Sequence, residues 1–206
     1  VAAATRGIDV VVGHPERDEG AVYNSESHLE DGVARAVYRK QRLPNYEVFD
    51  EKRYFRAGAM PCVIDVDGYA LGLSSCEDIW DPSTAVAARE AGADLILNLN
   101  ASPFSHRKRA ARLRALEAAV GSAGLPILYL NLVGGQDELV FDGGSLAVDA
   151  AGQVVAEACE FEEELLLVEL GRDASQVTLR GPRAPPLGGL ESVYRALVLG
   201  VRDYIG

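Results

Sequence analysis

The residues of this sequence whose types and places could carry chemistry are a cysteine, a lysine and a glutamate. Cys76 stands in Gly72-Leu73-Ser74-Ser75-Cys76-Glu77-Asp78-Ile79-Trp80, directly after an apolar run and a few residues before a helical pattern. A thiol at such a junction is held on a sharp turn, where nearby amides can lower its pKa and bind an oxyanion. The same position suits a small buried hydrophobe, which is what free cysteines commonly are. Lys40 lies in Tyr38-Arg39-Lys40-Gln41-Arg42-Leu43-Pro44-Asn45-Tyr46, between a strand and a proline-stiffened loop. A lysine fixed there can hold a transition-state oxyanion or assist proton transfer, whereas an ordinary surface lysine would be mobile. Glu51 falls in the charge-dense Phe49-Asp50-Glu51-Lys52-Arg53-Tyr54-Phe55, where a carboxylate also serves as a surface ion pair or fixes a loop.

The elements that must position these residues alternate between strands and helices. Ile8 to Gly13 reads as a buried strand ended by Gly13-His14-Pro15. Tyr23 to Leu29 and Val33 to Arg39 pair around Asp31-Gly32. Cys62 to Val66 and Tyr69 to Ser74 flank Asp67-Gly68, a dipeptide that tolerates the positive φ of a tight hairpin. Asp81-Pro82-Ser83-Thr84 caps a helix that Gly92 stops. Leu95 to Asn98 is a buried strand, and Ser105 to Ala123 is an amphipathic helix with Leu113, Leu116 and Val120 at helical spacing. Ile127 to Asn131, a hairpin of Ser145 to Asp149 with Gln153 to Ala158, and Leu165 to Glu169 complete the strands. This order predicts an α/β layer fold.

Residues 172–189 have the proline and glycine content of a linker, and a helix follows over 190–206. A helix opening there would have no domain to pack on, so a second domain is expected beyond it. An apolar strand such as Ile8 to Gly13 is normally covered on both faces, so earlier elements are expected before it.

The formal charge of −11 argues against nucleic-acid binding, which needs a basic face. The basic cluster Arg107, Lys108, Arg109, Arg112 and Arg114 is expected to be mostly a solvated helix face. No apolar run approaches the roughly 20 residues of a membrane-spanning helix, and no secretory leader opens the chain, which points to the cytoplasm. Cys62, Cys76 and Cys159 show neither disulfide nor zinc spacing, and Cys62 and Cys159 fall in expected strands. His14, His28 and His106 are scattered and read as structural, so no metal site is expected.

Several segments, in order along nearly the whole chain, resemble the carbon–nitrogen hydrolase (nitrilase) superfamily, above all the amidase half of glutamine-dependent NAD synthetases. They are YRKQRLPNYEVFDEKRYF (Tyr38 to Phe55), SCEDIW (Ser75 to Trp80), NLNASPF (Asn98 to Phe104) and GGQDELVFDGGS (Gly134 to Ser145). Glu191 to Gly206 looks like the opening helix of the synthetase half. The resemblance implies a nitrilase-like α-β-β-α sandwich, two mixed sheets covered by helices, lacking its first strands and helix. It implies an amidase domain over 1–171, the linker, and then the first helix of a synthetase domain. It makes Cys76 the nucleophile that opens L-glutamine through a thioester, Lys40 the triad lysine, and Glu51 a glutamate that orients lysine and substrate. Tyr46, Ser102 and Lys108 match positions that contact the glutamine. The glutaminase step needs no cofactor. ATP and magnesium, with deamido-NAD as the acceptor of ammonia, belong to the synthetase half, and a homo-oligomer is implied.

The sequence departs from that pattern in three places. The family's general-base glutamate is expected on a strand before Ile8 to Gly13. Glu16, Glu19, Glu26 and Glu30 are the glutamates available before Lys40, and none has that strand-end context. The chain by itself is therefore expected to release little ammonia, since general acid–base help of ~10²–10⁴-fold would be lost. The glycine-rich ATP-pyrophosphatase loop is also absent from the sequence. Glu47 stands where glycine is usual, and Leu132 where a polar residue is common. A stand-alone amidase of other specificity, or a silent fragment acting as a binding surface, are the alternative readings.

Overall fold

The computed structural model describes residues 1–174 and 176–206. Three strands, β1 (Asp9–Asp18), β2 (Ala21–Glu30) and β3 (Val33–Arg39), form an antiparallel sheet in that order. Their turns place Glu19-Gly20 at φ 45° and 81° and Asp31-Gly32 at φ 47° and 85°, the left-handed pair that suits two-residue hairpins. β1 runs five residues past the expected stop at Gly13, through Pro15, whose missing N–H is tolerated because β1 is an edge strand.

After the short helix α1 (Glu51–Tyr54), the strands β4 (Val63–Val66) and β5 (Tyr69–Ser75) make the hairpin expected around Asp67-Gly68. A 3-10 turn over Cys76–Trp80 leads into α2 (Pro82–Glu90). Asp81 caps that helix by accepting from the Ser83 N–H at 3.0 Å, with Pro82 in its first turn. Next come β6 (Leu95–Asn100), α3 (Lys108–Ala123), β7 (Ile127–Asn131) and the hairpin β8 (Val133–Gln136) with β9 (Leu139–Asp142). The remaining elements are β10 (Leu146–Val148), β11 (Val154–Glu157), β12 (Glu169–Asp173), β13 (Gln176–Arg180) and α4 (Gly189–Ile205).

Six strands build the main sheet in the order β11-β10-β7-β6-β5-β4, with β5, β6 and β7 parallel and the outer pairs antiparallel. A parallel strand covered on both faces reads as an unbroken apolar run. β6 shows why: Leu95 points into one core and Ile96 into the other, and both are fully buried. On one face α2 and α3 pack Ala85, Ala88, Leu116, Ala119 and Val120 against Ile96, Ile127 and Val148. Gly72 lets α2 approach, since a Cβ there would stand 3.0 Å from that of Ala88. On the other face Leu71, Leu73, Leu95 and Ala147 meet Tyr38 of β3 and Val177 and Leu179 of β13. The layers are therefore helix, mixed sheet and a second, antiparallel sheet, as the α/β sandwich requires.

Two expectations about the C-terminal region change. The strand expected over Leu165 to Glu169 begins only at Glu169, and residues 172–189 are not all linker. Val177 and Leu179 alternate inward, so β12 and β13 form a hairpin built into the core. The helix α4 does find packing: Ala196 and Leu199 bury against Phe161, with Val133 and Val140 of the β8–β9 hairpin beside them. Asp203 adds a 2.7 Å acceptor for the Gly135 N–H. No helix of the described residues is long and apolar enough to cross a membrane.

Candidate active site

Cys76 is the first residue after β5, at the carboxyl end of a parallel strand. Its φ of 43° is one that an L side chain adopts only when its surroundings impose it. Asp78 does much of the imposing. Wholly buried, it accepts from the Ser75 N–H at 3.1 Å, the Tyr38 hydroxyl at 2.7 Å, and the Gln41 and Arg42 N–H groups at 3.1 and 2.6 Å. One carboxylate thus clamps the cysteine turn to the segment that follows Lys40. Burial pushes the Asp78 carboxyl up while these donors pull against it.

Lys40 is fixed at both backbone ends, donating to Asn24 O and accepting from Gly58 N–H, each at 2.8 Å. Gly58 permits this approach, because a Cβ there would collide with Arg39 O. The side chain is 1% exposed, and its Nζ donates to Glu51 Oε1 at 2.6 Å. Cys76, Lys40 and Glu51 then open on one cavity of about 750 Å³, a volume typical of small-molecule sites. Burial is the main influence on the Cys76 thiol and pushes its pKa up; Lys40 opposes it, and Glu51, Glu77 and Asp78 reinforce it. This environment favours the thiol over the amide-stabilised thiolate that the position suggested.

The other expected site residues lie around this centre and do not line the cavity. The Tyr46 hydroxyl donates to Glu77 at 2.9 Å, and Lys108 Nζ stands 4.8 Å from the centre of the Trp80 ring. Both therefore touch the Cys76–Trp80 turn. Ser102 is buried: its N–H donates to Asn131 Oδ1 at 2.9 Å and its carbonyl accepts from Arg112 at 2.9 Å.

The basic cluster on α3 is less solvated than expected. Arg112, four residues before Leu116, faces inward and binds Asp142 with two hydrogen bonds of 2.8 and 2.7 Å. Arg109 binds Glu157. His28 Nε2 donates to Asp9 Oδ1 at 2.6 Å, and His14 Nε2 shares a 2.7 Å hydrogen bond with the Ser27 hydroxyl. Cys159 lies past the end of β11, and Cys62 just before β4.

One residue was missed from sequence, and another was weighed and set aside. Asp78 follows Ser75 at the spacing of a capping box, a signal that was available. Glu26 lines the cavity from the middle of β2, in line with Asn24 two residues earlier. Burial raises its carboxyl well above the usual range, Asp78 adding to the effect. A strand interior gives no sign from sequence that its polar side chain will face a cavity.

Comparison with known proteins agrees with this geometry. The carbon-nitrogen hydrolase family profile matches residues 1–178. The glutamine-dependent NAD(+) synthetase of Xanthomonas campestris pv. campestris is 42% identical over 212 residues, covering all of this chain and 38% of that protein. That of Thermotoga maritima is 38% identical over 233 residues, covering 97% of this chain and 40% of the relative. The chain therefore spans about two-fifths of the length of these relatives. Among solved structures, the glutamine-dependent NAD+ synthetase of Acinetobacter baumannii, bound to ADP, superposes with a TM-score of 0.92 at 36% identity, over 98% of this chain and 39% of that one. An amidase mutant from Nesterenkonia sp. AN1, captured after Michael addition of acrylamide at its active site cysteine, gives 0.65 at 27% identity over 87% and 64%. With a matched profile over most of its length and a buried lysine–glutamate pair beside a strand-end cysteine, this chain belongs to the carbon-nitrogen hydrolase family.

Proposed function

We propose that this chain is the glutamine-hydrolysing part of a glutamine-dependent NAD synthetase, working through a thioester on Cys76. One observation carries the reading: Lys40 and Glu51, paired at 2.6 Å, share a cavity with Cys76 on its strained turn. The relatives matching over the whole chain support the choice of glutamine, and the Nesterenkonia amidase supports a reactive cysteine in this fold.

The steps follow from the groups present. Glu51 orients Lys40 through their 2.6 Å contact, and the Cys76 sulfur, once deprotonated, attacks the side-chain amide carbon of L-glutamine. The tetrahedral oxyanion is met by the Lys40 ammonium and by a backbone N–H after Cys76. Removing one such donor costs about 3 kcal/mol in comparable sites. Ammonia leaves, and water hydrolyses the thioester to glutamate. Tyr46 and Lys108, which hold the cysteine turn, and Ser102 are the proposed contacts of the glutamine. In this reading ATP, magnesium and deamido-NAD act in the part of the relatives' length that the chain does not span. A homo-oligomer and a cytoplasmic location complete the proposal.

A diazoketone analogue of glutamine tests it. Labelling is expected at Cys76 alone, abolished by Cys76→Ser and slowed at least about tenfold by Lys40→Ala, given what an oxyanion donor contributes. Equal labelling of Cys62, Cys76 and Cys159, or labelling of none, overturns the reading.

A further inference from the structure

We propose that Asn100 determines the specificity of this cavity for a carboxamide, its Oδ1 accepting one N–H of the substrate's amide nitrogen. This role rests on the glutamine reading above and involves no proton transfer. Asn100 is the last residue of β6, the middle one of the three parallel strands. Ser75, the residue before the nucleophile, pairs with Leu99, and on the other side Asn100 pairs with Asn131. Asn100 therefore stands one step beyond the level of Ser75, as Cys76 does, at the carboxyl ends of the strands where open α/β sheets take their ligands. It lines the same cavity as Cys76.

The surroundings of Nδ2 fix which way the Asn100 carboxamide faces. That nitrogen donates to Asn98 O at 3.0 Å, Asn98 Oδ1 at 2.8 Å and Leu130 O at 2.9 Å. All three partners are acceptors, so a flipped amide would set oxygen against three oxygens. Oδ1 is left on the other side, buried and without a hydrogen-bond partner among the described residues. The nearby donors are committed elsewhere. Asn98 Nδ2 goes to Ser74 Oγ at 2.9 Å, Asn131 Nδ2 to Gly143 O at 3.1 Å, and Lys40 Nζ to Glu51 Oε1 at 2.6 Å. A buried acceptor left unmet costs free energy until a donor arrives, and beside a nucleophile the donor to expect is the substrate's.

An acceptor held in one orientation selects an N–H over a lone pair. The carboxamide of glutamine carries two N–H bonds on the atom next to the carbon that Cys76 attacks, and one of them suffices for Oδ1. An ester at the same carbon has none. The side-chain carboxylate of glutamate brings only lone pairs, so the oxygen that draws in the amide repels the product acid.

Binding without turnover separates this role from a structural one. Cys76→Ser, which has no thiol to form a thioester, is titrated calorimetrically with glutamine, the γ-methyl ester of glutamate, and glutamate. Glutamine is expected to bind at least about tenfold tighter than the ester. Adding Asn100→Leu, similar in shape and without the acceptor, should bring the two within about twofold, by loss of glutamine affinity alone. Glutamate should bind that variant no worse than the parent. Asn100→Asp loses the same Nδ2 contacts but keeps an acceptor, and should keep the preference for glutamine over the ester. Where Asn100→Leu does not fold, Asn100→Ala carries the same expectations. A preference that survives Asn100→Leu, or is lost in Asn100→Asp, overturns the proposal. So does equal weakening of all three ligands, which would mean that Asn100 holds the strand end or reads the α-ammonium they share. A parent that binds glutamine and the ester alike overturns this role and leaves the glutamine reading standing. A parent that binds none of the three sinks both.

Discussion

Two clusters of buried charge lie near this cavity, and one is closed while the other is open. In the closed cluster Arg112 and Asp142, both almost fully buried, share two hydrogen bonds, and Asn131 reaches Gly143 O at 3.1 Å. Ser102 and Ser145 fill further positions, donating to Asn131 and accepting from it. In the open cluster Glu26 has unmatched oxygens, Cys76 stands at positive φ, and the Lys40–Glu51 pair faces the cavity. Burying charge is expensive in both places. Apart from Arg112 Nε, which has no partner among the described residues, the closed cluster pairs its charged atoms and spends them on geometry, here on holding Ser102 and Asn131 beside the site. A network that leaves capacity unused next to a cavity has something to offer a ligand.

The sharpest way to break this comparison is to unpair the closed cluster. Arg112→Ala leaves Asp142 buried without its cationic partner, Asn131 being its one other side-chain donor among the described residues, and is expected to lower unfolding free energy by about 3–5 kcal/mol in urea titration. Replacing both partners with apolar residues, Arg112→Met with Asp142→Leu, should lose distinctly less, since no orphaned charge remains. If the double variant is as unstable as the single, the pair itself, and not the penalty of separating it, stabilises the fold.

The open cluster should respond with the opposite sign. Glu26→Gln is expected to stabilise the protein at pH 8 by roughly 1–3 kcal/mol, the scale of a buried polar group left unmet. The folded-state pKa of Glu26 lies above its ordinary value of 4.5, so the folded protein holds the extra proton. The stability Glu26 contributes is then whole below that value and lost as pH rises through the folded pKa. The advantage of Glu26→Gln should therefore grow with pH above 4.5. Glu16 runs the other way. Its hydrogen bonds with Arg39 hold it at about 2 against burial, so its stabilising effect is present above 4.5 and lost as pH falls towards 2. A Glu26→Gln curve parallel to wild type across the whole range would show that Glu26 is met in solution after all.

What the sequence made legible follows from which signals are local. Asp67-Gly68, Asp81-Pro82 and the apolar Leu95-Ile96-Leu97 of β6 each carry their geometry in adjacent residues, and all three elements formed, β6 running two residues further than read, to Asn100. Cys76 and Lys40 were legible because strand ends are punctuated by turns. Pro15 misled because an edge strand forgives a proline, and edge position is a property of the whole sheet. Arg112 misled because a charged residue on the inner stripe of a helix looks solvated until its partner, thirty residues away in the chain, is known. Glu26 and Asp78 depend likewise on contacts between β2, β3 and the cysteine turn, which no single segment contains.

The smallest effect separates strain that serves the site from strain that does not. Glu47 has a φ of 52°, in a turn closed by the Phe49 N–H donating to Tyr46 O at 2.9 Å. Glycine is usual at this place in the family the sequence resembles, and the backbone now supplies the reason. A left-handed L residue costs about 1–2 kcal/mol, and the extra chain entropy of glycine returns about 0.5–1 of it. Glu47→Gly is therefore expected to stabilise the fold by about 0.5–1 kcal/mol in urea titration. Tyr46 keeps its hydrogen bonds to Glu77, so diazoketone labelling of Cys76 should change by less than roughly twofold, because no oxyanion donor is touched. Cys76 is held at nearly the same φ, but there the constraint comes from Asp78 gripping the turn, and the aimed thiol is its product. Relief at residue 47 that slowed labelling would mean that the two strained turns are coupled through Tyr46 and Glu77, and that the open cluster extends further from the cavity than its lining shows.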